Sequence, residues 1–146
     1  MLLATGLGLG SFLVATPLEH LCDWAATALG IPSRLDRIIA AQATRHWFSP
    51  LVLAPLVENA FCLLWLRAGC IRRLRPWWAP PLAVAVIAAL FHVAGYGEPR
   101  YITTAATFFP LCWLIAHVRP RATGYWASVL AHAQFNALSM IQLRWS

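Results

Sequence analysis

Apolar and polar positions alternate in blocks along this chain. Five apolar runs are separated by short polar breaks: Met1 to Leu18, Leu51 to Leu66, Trp77 to Tyr96, Tyr101 to Val118 and Thr123 to Leu143. Each is close to the length of about 17–25 residues that a helix needs to cross a hydrocarbon layer. The breaks carry turn residues, with Gly95, Gly97 and Pro99 after the third run and Arg119, Pro120 and Arg121 after the fourth. Pro55 lies in the first turns of the second run, where a helix tolerates proline. Pro110 lies inside the fourth run, where it predicts a kink. The pattern predicts an all-α fold, a polytopic transmembrane bundle of five spanning helices. Residues 1–146 form one domain, without internal repeat or low-complexity segment.

The segment from Glu19 to Pro50 is mixed. Ser33 with Asp36 three residues later has the form of a capping box. It opens SRLDRIIAAQATRHW, in which Leu35, Ile38, Ile39 and Gln42 recur at near-helical spacing and Arg34, Arg37 and Arg45 fall elsewhere. That predicts a helix lying in the membrane interface, with a solvated connector as the plain alternative. The first run lacks a basic n-region and a small-residue cleavage site, so it reads as an uncleaved helix rather than a signal peptide.

Composition agrees with a membrane setting. Of 146 residues, 60% are hydrophobic and 11% charged, against about 45–50% and about 25% in ordinary soluble domains. A soluble chain of this size has too little interior to hide so much apolar surface. Eight tryptophans add side chains that settle at the membrane boundary. The four cysteines, Cys22, Cys62, Cys70 and Cys112, show no CxxC spacing, and neither a disulfide framework nor a cysteine-rich zinc site is expected.

The net charge of +6 comes from arginine alone, since the chain has no lysine. The arginines sit between apolar runs, a placement that suits lipid head groups better than nucleic acid. With five spans, Arg67, Arg72, Arg73, Arg75, Arg119 and Arg121 share one side, without an acid. Arg34, Arg37, Arg45, Arg100 and Arg144 share the other, among Glu19, Asp23, Asp36 and Glu98. The dense cluster after the second run places its side in the cytoplasm and the C-terminus outside.

Polar residues inside the runs then stand out. Glu58 lies deep in the second run, His92 near the end of the third, and His132 and Asn136 four apart in the fifth. Inserting an acid at a helix centre costs about 2.5–3.5 kcal/mol, so an intramembrane carboxyl is a functional candidate. The i,i+4 spacing puts His132 and Asn136 on one helix face. Each has a plainer role available: a hydrogen bond between helices for Glu58, Asn59, His132 and Asn136, and a boundary position for His92. His20, His46 and His117 fall near run ends or outside the runs and read as interfacial. Taken together, one acid and two histidines on three spans fit water activation. A carboxylate in low dielectric is a stronger base than one in water, and a histidine can share its proton. A second histidine and an amide can donate to an oxyanion. The same side chains fit zinc ligation, and spacing does not choose between the two. No nucleophile elbow or phosphate-binding glycine loop appears.

APLVENAFCLLWL, AALFHVAGY and GYWASVLAHAQFNAL, in this order and spacing, resemble the motifs of the CPBP intramembrane proteases, the family of CAAX prenyl endopeptidases and lysostaphin-resistance-protein-A-like proteins. The likeness spans about Leu51 to Gln142, a protease-like core. It implies that Glu58 is the water-activating base, that His92 is the second-motif histidine, and that His132 and Asn136 stabilise the oxyanion. The departures are Asn59 in place of the second glutamate, Cys62 or Leu63 near the place of the arginine, and Ala88 in place of the second-motif phenylalanine. Asn59 is then a supporting residue.

The resemblance implies an endopeptidase that hydrolyses a peptide bond near the C-terminus of a membrane-anchored or lipid-modified protein, in a bacterial plasma membrane, without a cofactor. Two rivals remain. One is a non-catalytic binding or immunity-type membrane protein on the same scaffold, suggested by the altered first motif. The other is a haem- or quinone-binding bundle using His92 and His132.

Overall fold

The computed structural model describes residues 2–30 and 47–145. Among them every regular element is a helix and none is a strand. Helix α1 is Leu2–Ala28. A π-helical turn, Ser49–Leu53, leads into α2, Ala54–Arg67. A short α3, Gly69–Arg72, precedes α4, Ala79–Tyr96. A 3-10 turn, Pro99–Thr103, leads into α5, Thr104–His117, and α6 is Arg121–Trp145. The segment expected to form the interfacial helix, with Ser33, Asp36 and His46, lies outside the described residues.

Local chemistry accounts for most of the boundaries. Proline occupies the opening turns of the π-helical turn and of α4, where its missing N–H has no helical partner to lose, whereas Pro55 follows the π-helical turn without a break and leaves a carbonyl of that turn without a helical donor. Helix α4 stops at Gly97, which takes the left-handed conformation (φ 71) and returns its N–H to the Val93 carbonyl at 2.8 Å. Only glycine adopts that conformation without strain. Helix α5 stays a single element across Pro110, although the ring removes the donor for the Ala106 carbonyl. The first boundary corrects the sequence expectation. The helix does not end at Leu18 but continues past Glu19, His20 and Asp23 to Ala28. Hydropathy marks where a chain leaves an apolar setting, and nothing between Leu18 and Ala28 breaks a helix.

Helix α5 is the centre of the packing. It buries Thr107, Phe108, Leu111, Cys112, Leu114 and Ile115 and touches α1, α2, α4 and α6. Val84 and Ala85 of α4, Cys62 of α2 and Ala131 of α6 close around it. All four cysteines are free thiols, and Cys62 and Cys112 are buried in the same core cluster. Where α6 begins, Gly124 lets it approach the end of α5: a Cβ there would sit 2.5 Å from the Leu114 carbonyl oxygen.

The outer faces are apolar too. Leu53, Val57, Phe61 and Leu64 run along the exposed side of the segment Ser49–Arg67, and Leu82, Val86 and Leu90 along that of α4. Those two helical segments are long and apolar enough to cross a membrane, and Tyr101–His117 is a shorter apolar helix.

Candidate functional site

Glu58 stands between two histidines. Its Oε2 lies 3.7 Å from His92 Nε2 of α4 and 3.6 Å from His132 Nε2 of α6. Three helices thus deliver one carboxylate and two imidazoles to one place. Both separations are longer than a hydrogen bond, and small side-chain shifts would close either. The Glu58 side chain remains 31% exposed, His92 is 20% exposed and His132 only 6%.

The two imidazoles present different chemistry to the acid. His92 Nδ1 lies 2.9 Å from the Ala88 carbonyl. A carbonyl only accepts, so Nδ1 carries the hydrogen. Neutral His92 therefore turns a lone pair on Nε2 toward Glu58, and a bond between them requires one shared proton. His132 differs, because its buried Nδ1 meets no hydrogen-bond partner among the described residues. An ionised Glu58 then favours the tautomer with hydrogen on Nε2. His92 is placed to exchange a proton with the acid, and His132 to donate.

Aromatic rings hold both histidines. The Phe108 ring lies 5.3 Å from that of His92 and 5.4 Å from that of His132, centroid to centroid. Tyr96 and Tyr101 stack on each other at 4.6 Å, and each lies 6.0 Å from the His92 imidazole. Phe108 is a wall shared by the two histidines.

Polar contacts lay α6 along α2. The Tyr125 hydroxyl donates to the Leu56 carbonyl at 3.0 Å, and the Ser128 hydroxyl to Asn59 Oδ1 at 3.1 Å. Asn136 Nδ2 donates to the Pro50 carbonyl in the π-helical turn at 2.7 Å. Tyr125, Ser128, His132 and Asn136 are spaced i, i+3, i+7 and i+11, one stripe of a helix. His132 faces Glu58 because the residues above and below it are tied to the same partner helix.

Glu58, His92 and His132 are therefore brought together. Asn136 belongs to the same stripe, with one amide proton committed to Pro50. Asn59 points into the α2–α6 seam, wholly buried, and its Nδ2 meets no partner among the described residues. Sequence reasoning missed Tyr125, Ser128 and Phe108. The first two were recoverable, since they share the helical stripe of His132 and Asn136. Phe108 carries no such signal, being one aromatic among several in its run. Of the remaining histidines, His20 is exposed on α1. His117 packs against Trp113 and Trp77, with ring centroids at 5.3 and 5.4 Å. Among the described residues, no set of three His, Cys, Asp or Glu side chains is arranged to hold a metal ion.

A carboxylate flanked by a proton-exchanging imidazole and a donating one suits acid–base chemistry on a bound water. No family model, curated protein or solved structure matches this chain.

Proposed function

We propose that this chain is a membrane protein of five crossings and that it works as an intramembrane endopeptidase of glutamate type. The two apolar segments Ser49–Arg67 and Ala79–Tyr96 supply two crossings, and α1, Tyr101–His117 and α6 complete the set. Outward apolar stripes on α2 and α4 support this reading. Such surface is unfavourable in water and neutral in lipid. The membrane is the bacterial plasma membrane, with the arginine-rich connectors in the cytoplasm and the site open to the outside.

The observation that carries the catalytic reading is the position of Glu58 Oε2 between His92 Nε2 and His132 Nε2, at 3.7 and 3.6 Å. Glu58 takes a proton from water, and the water oxygen attacks the scissile carbonyl carbon. His132 Nε2–H and the second amide proton of Asn136 receive the developing oxyanion. The proton held between Glu58 and His92 passes to the leaving amine as the C–N bond breaks. The resemblance to the CPBP proteases points the same way and suggests, as substrate, a membrane-anchored or lipid-modified protein cut near its C-terminus. Glu58→Gln and His132→Ala should each abolish cleavage of a co-expressed substrate while the protein stays folded. Retained cleavage in either variant refutes the assignment.

One observation favours a non-catalytic binder instead. Asn59, standing where the resembled family has its second glutamate, is sealed in a packing contact with Ser128. On that reading Glu58→Gln still supports the cellular role.

A further inference from the structure

We infer that the two arginine-bearing connectors form a single binding site for anionic phospholipid headgroups. The inference rests on the membrane reading above and goes beyond it to a preferred lipid. Arg67, Arg72, Arg73 and Arg75 surround the first connector, between α2 and α4, and Arg119 and Arg121 the second, between α5 and α6. All six are exposed. The connectors are far apart in sequence, but Trp77 of the first packs edge-on against His117 at the start of the second, with centroids 5.4 Å apart. Trp113 also stacks on His117, with centroids 5.3 Å apart. That aromatic clasp makes one surface of two loops.

The acids of the chain are Glu19, Asp23, Asp36, Glu58 and Glu98, none in either connector. Glu98 lies at the far end of α4. Guanidinium groups match phosphate oxygens in pairs, and six of them on one surface call for a polyanion. Exposed Leu74, Trp77 and Trp78 beside them favour a lipid leaflet over nucleic acid. An interface takes up apolar and cationic side chains together. This surface also lies at the opposite end of α4 from His92, so gripping one leaflet would aim the candidate site at the other.

The test begins with alkaline carbonate extraction of membranes that hold the full-length protein. Release from the membrane overturns both this inference and the membrane reading. If the protein stays, it is purified in detergent and given phosphatidylglycerol or phosphatidylcholine. Retained lipid is then counted by native mass spectrometry. Phosphatidylglycerol should be retained in preference by about tenfold or more, and the preference should shrink as salt rises. The triple variant Arg72→Gln, Arg73→Gln, Arg75→Gln and the double variant Arg119→Gln, Arg121→Gln should each lose it, as one site requires. Equal retention of the two lipids overturns the inference alone, as does a preference that survives in both variants. Displacement of the lipid by equimolar inorganic phosphate or duplex DNA also overturns it. If a variant fails to fold, the salt dependence of the wild type still decides.

Discussion

The hydroxyl of Ser128 and the amide oxygen of Asn59 meet at 3.1 Å in the seam between α6 and α2, and neither residue has any exposed surface. Among the described residues Asn59 Nδ2 meets no partner, so the bond from Ser128 satisfies the oxygen of the amide and not its nitrogen. Ser128→Ala should destabilise the fold by about 1–3 kcal/mol, since it leaves a buried acceptor unmade. The double variant Ser128→Ala, Asn59→Leu should recover part of that loss by removing both polar groups. Thermal unfolding of the four proteins in detergent closes the cycle, and strict additivity would contradict the pairing.

Gly124 tests the approach of α6 to α5. Gly124→Ala places a methyl group 2.5 Å from the Leu114 carbonyl oxygen and 3.2 Å from that of Val118. Both are backbone atoms and move only with their helix. A loss of about 1–3 kcal/mol is expected. An unchanged melting temperature would mean that the helices are farther apart than described.

Phe108 separates packing from chemistry. Phe108→Leu keeps an apolar side chain against α4 and α6 but removes the flat wall between His92 and His132. If the proposed endopeptidase reading holds, the variant should fold and lose turnover, with less effect on substrate binding. Full activity in a well-folded Phe108→Leu protein would show that the shared ring does not set the histidines.

The cysteines report orientation. Cys70 is exposed on α3, Cys22 is half-buried on α1, and Cys62 and Cys112 are buried. With the arginine connectors in the cytoplasm, a membrane-impermeant maleimide should label Cys22→Ser protein in inverted vesicles, at Cys70, and leave it unlabelled in intact cells. Labelling of Cys70 from outside would reverse the topology and turn the candidate site toward the cytoplasm.

Hydropathy and turn chemistry made four of the five apolar runs legible as helices to within a few residues. Gly97 and the early prolines stop or start helices by backbone geometry that needs no tertiary partner. The first run misled at its end, because the helix outlasts its apolar stretch. The candidate site was legible as a set of residue types: Glu58, His92 and His132 are costly in apolar runs wherever the runs pack.

The sequence by itself determined that the chain is helical, that its helices are strongly apolar, and which few ionisable groups sit among apolar residues. These follow from local backbone preference and transfer free energy, which act residue by residue. Only the tertiary structure decided that one carboxylate faces two imidazoles. It also decided that Asn136 ties a π-helical turn, that Asn59 belongs to a packing seam, and that Trp77 and His117 bring two distant loops into contact. Those outcomes depend on the rotation of each helix about its own axis, and that is fixed by what the neighbouring helices present.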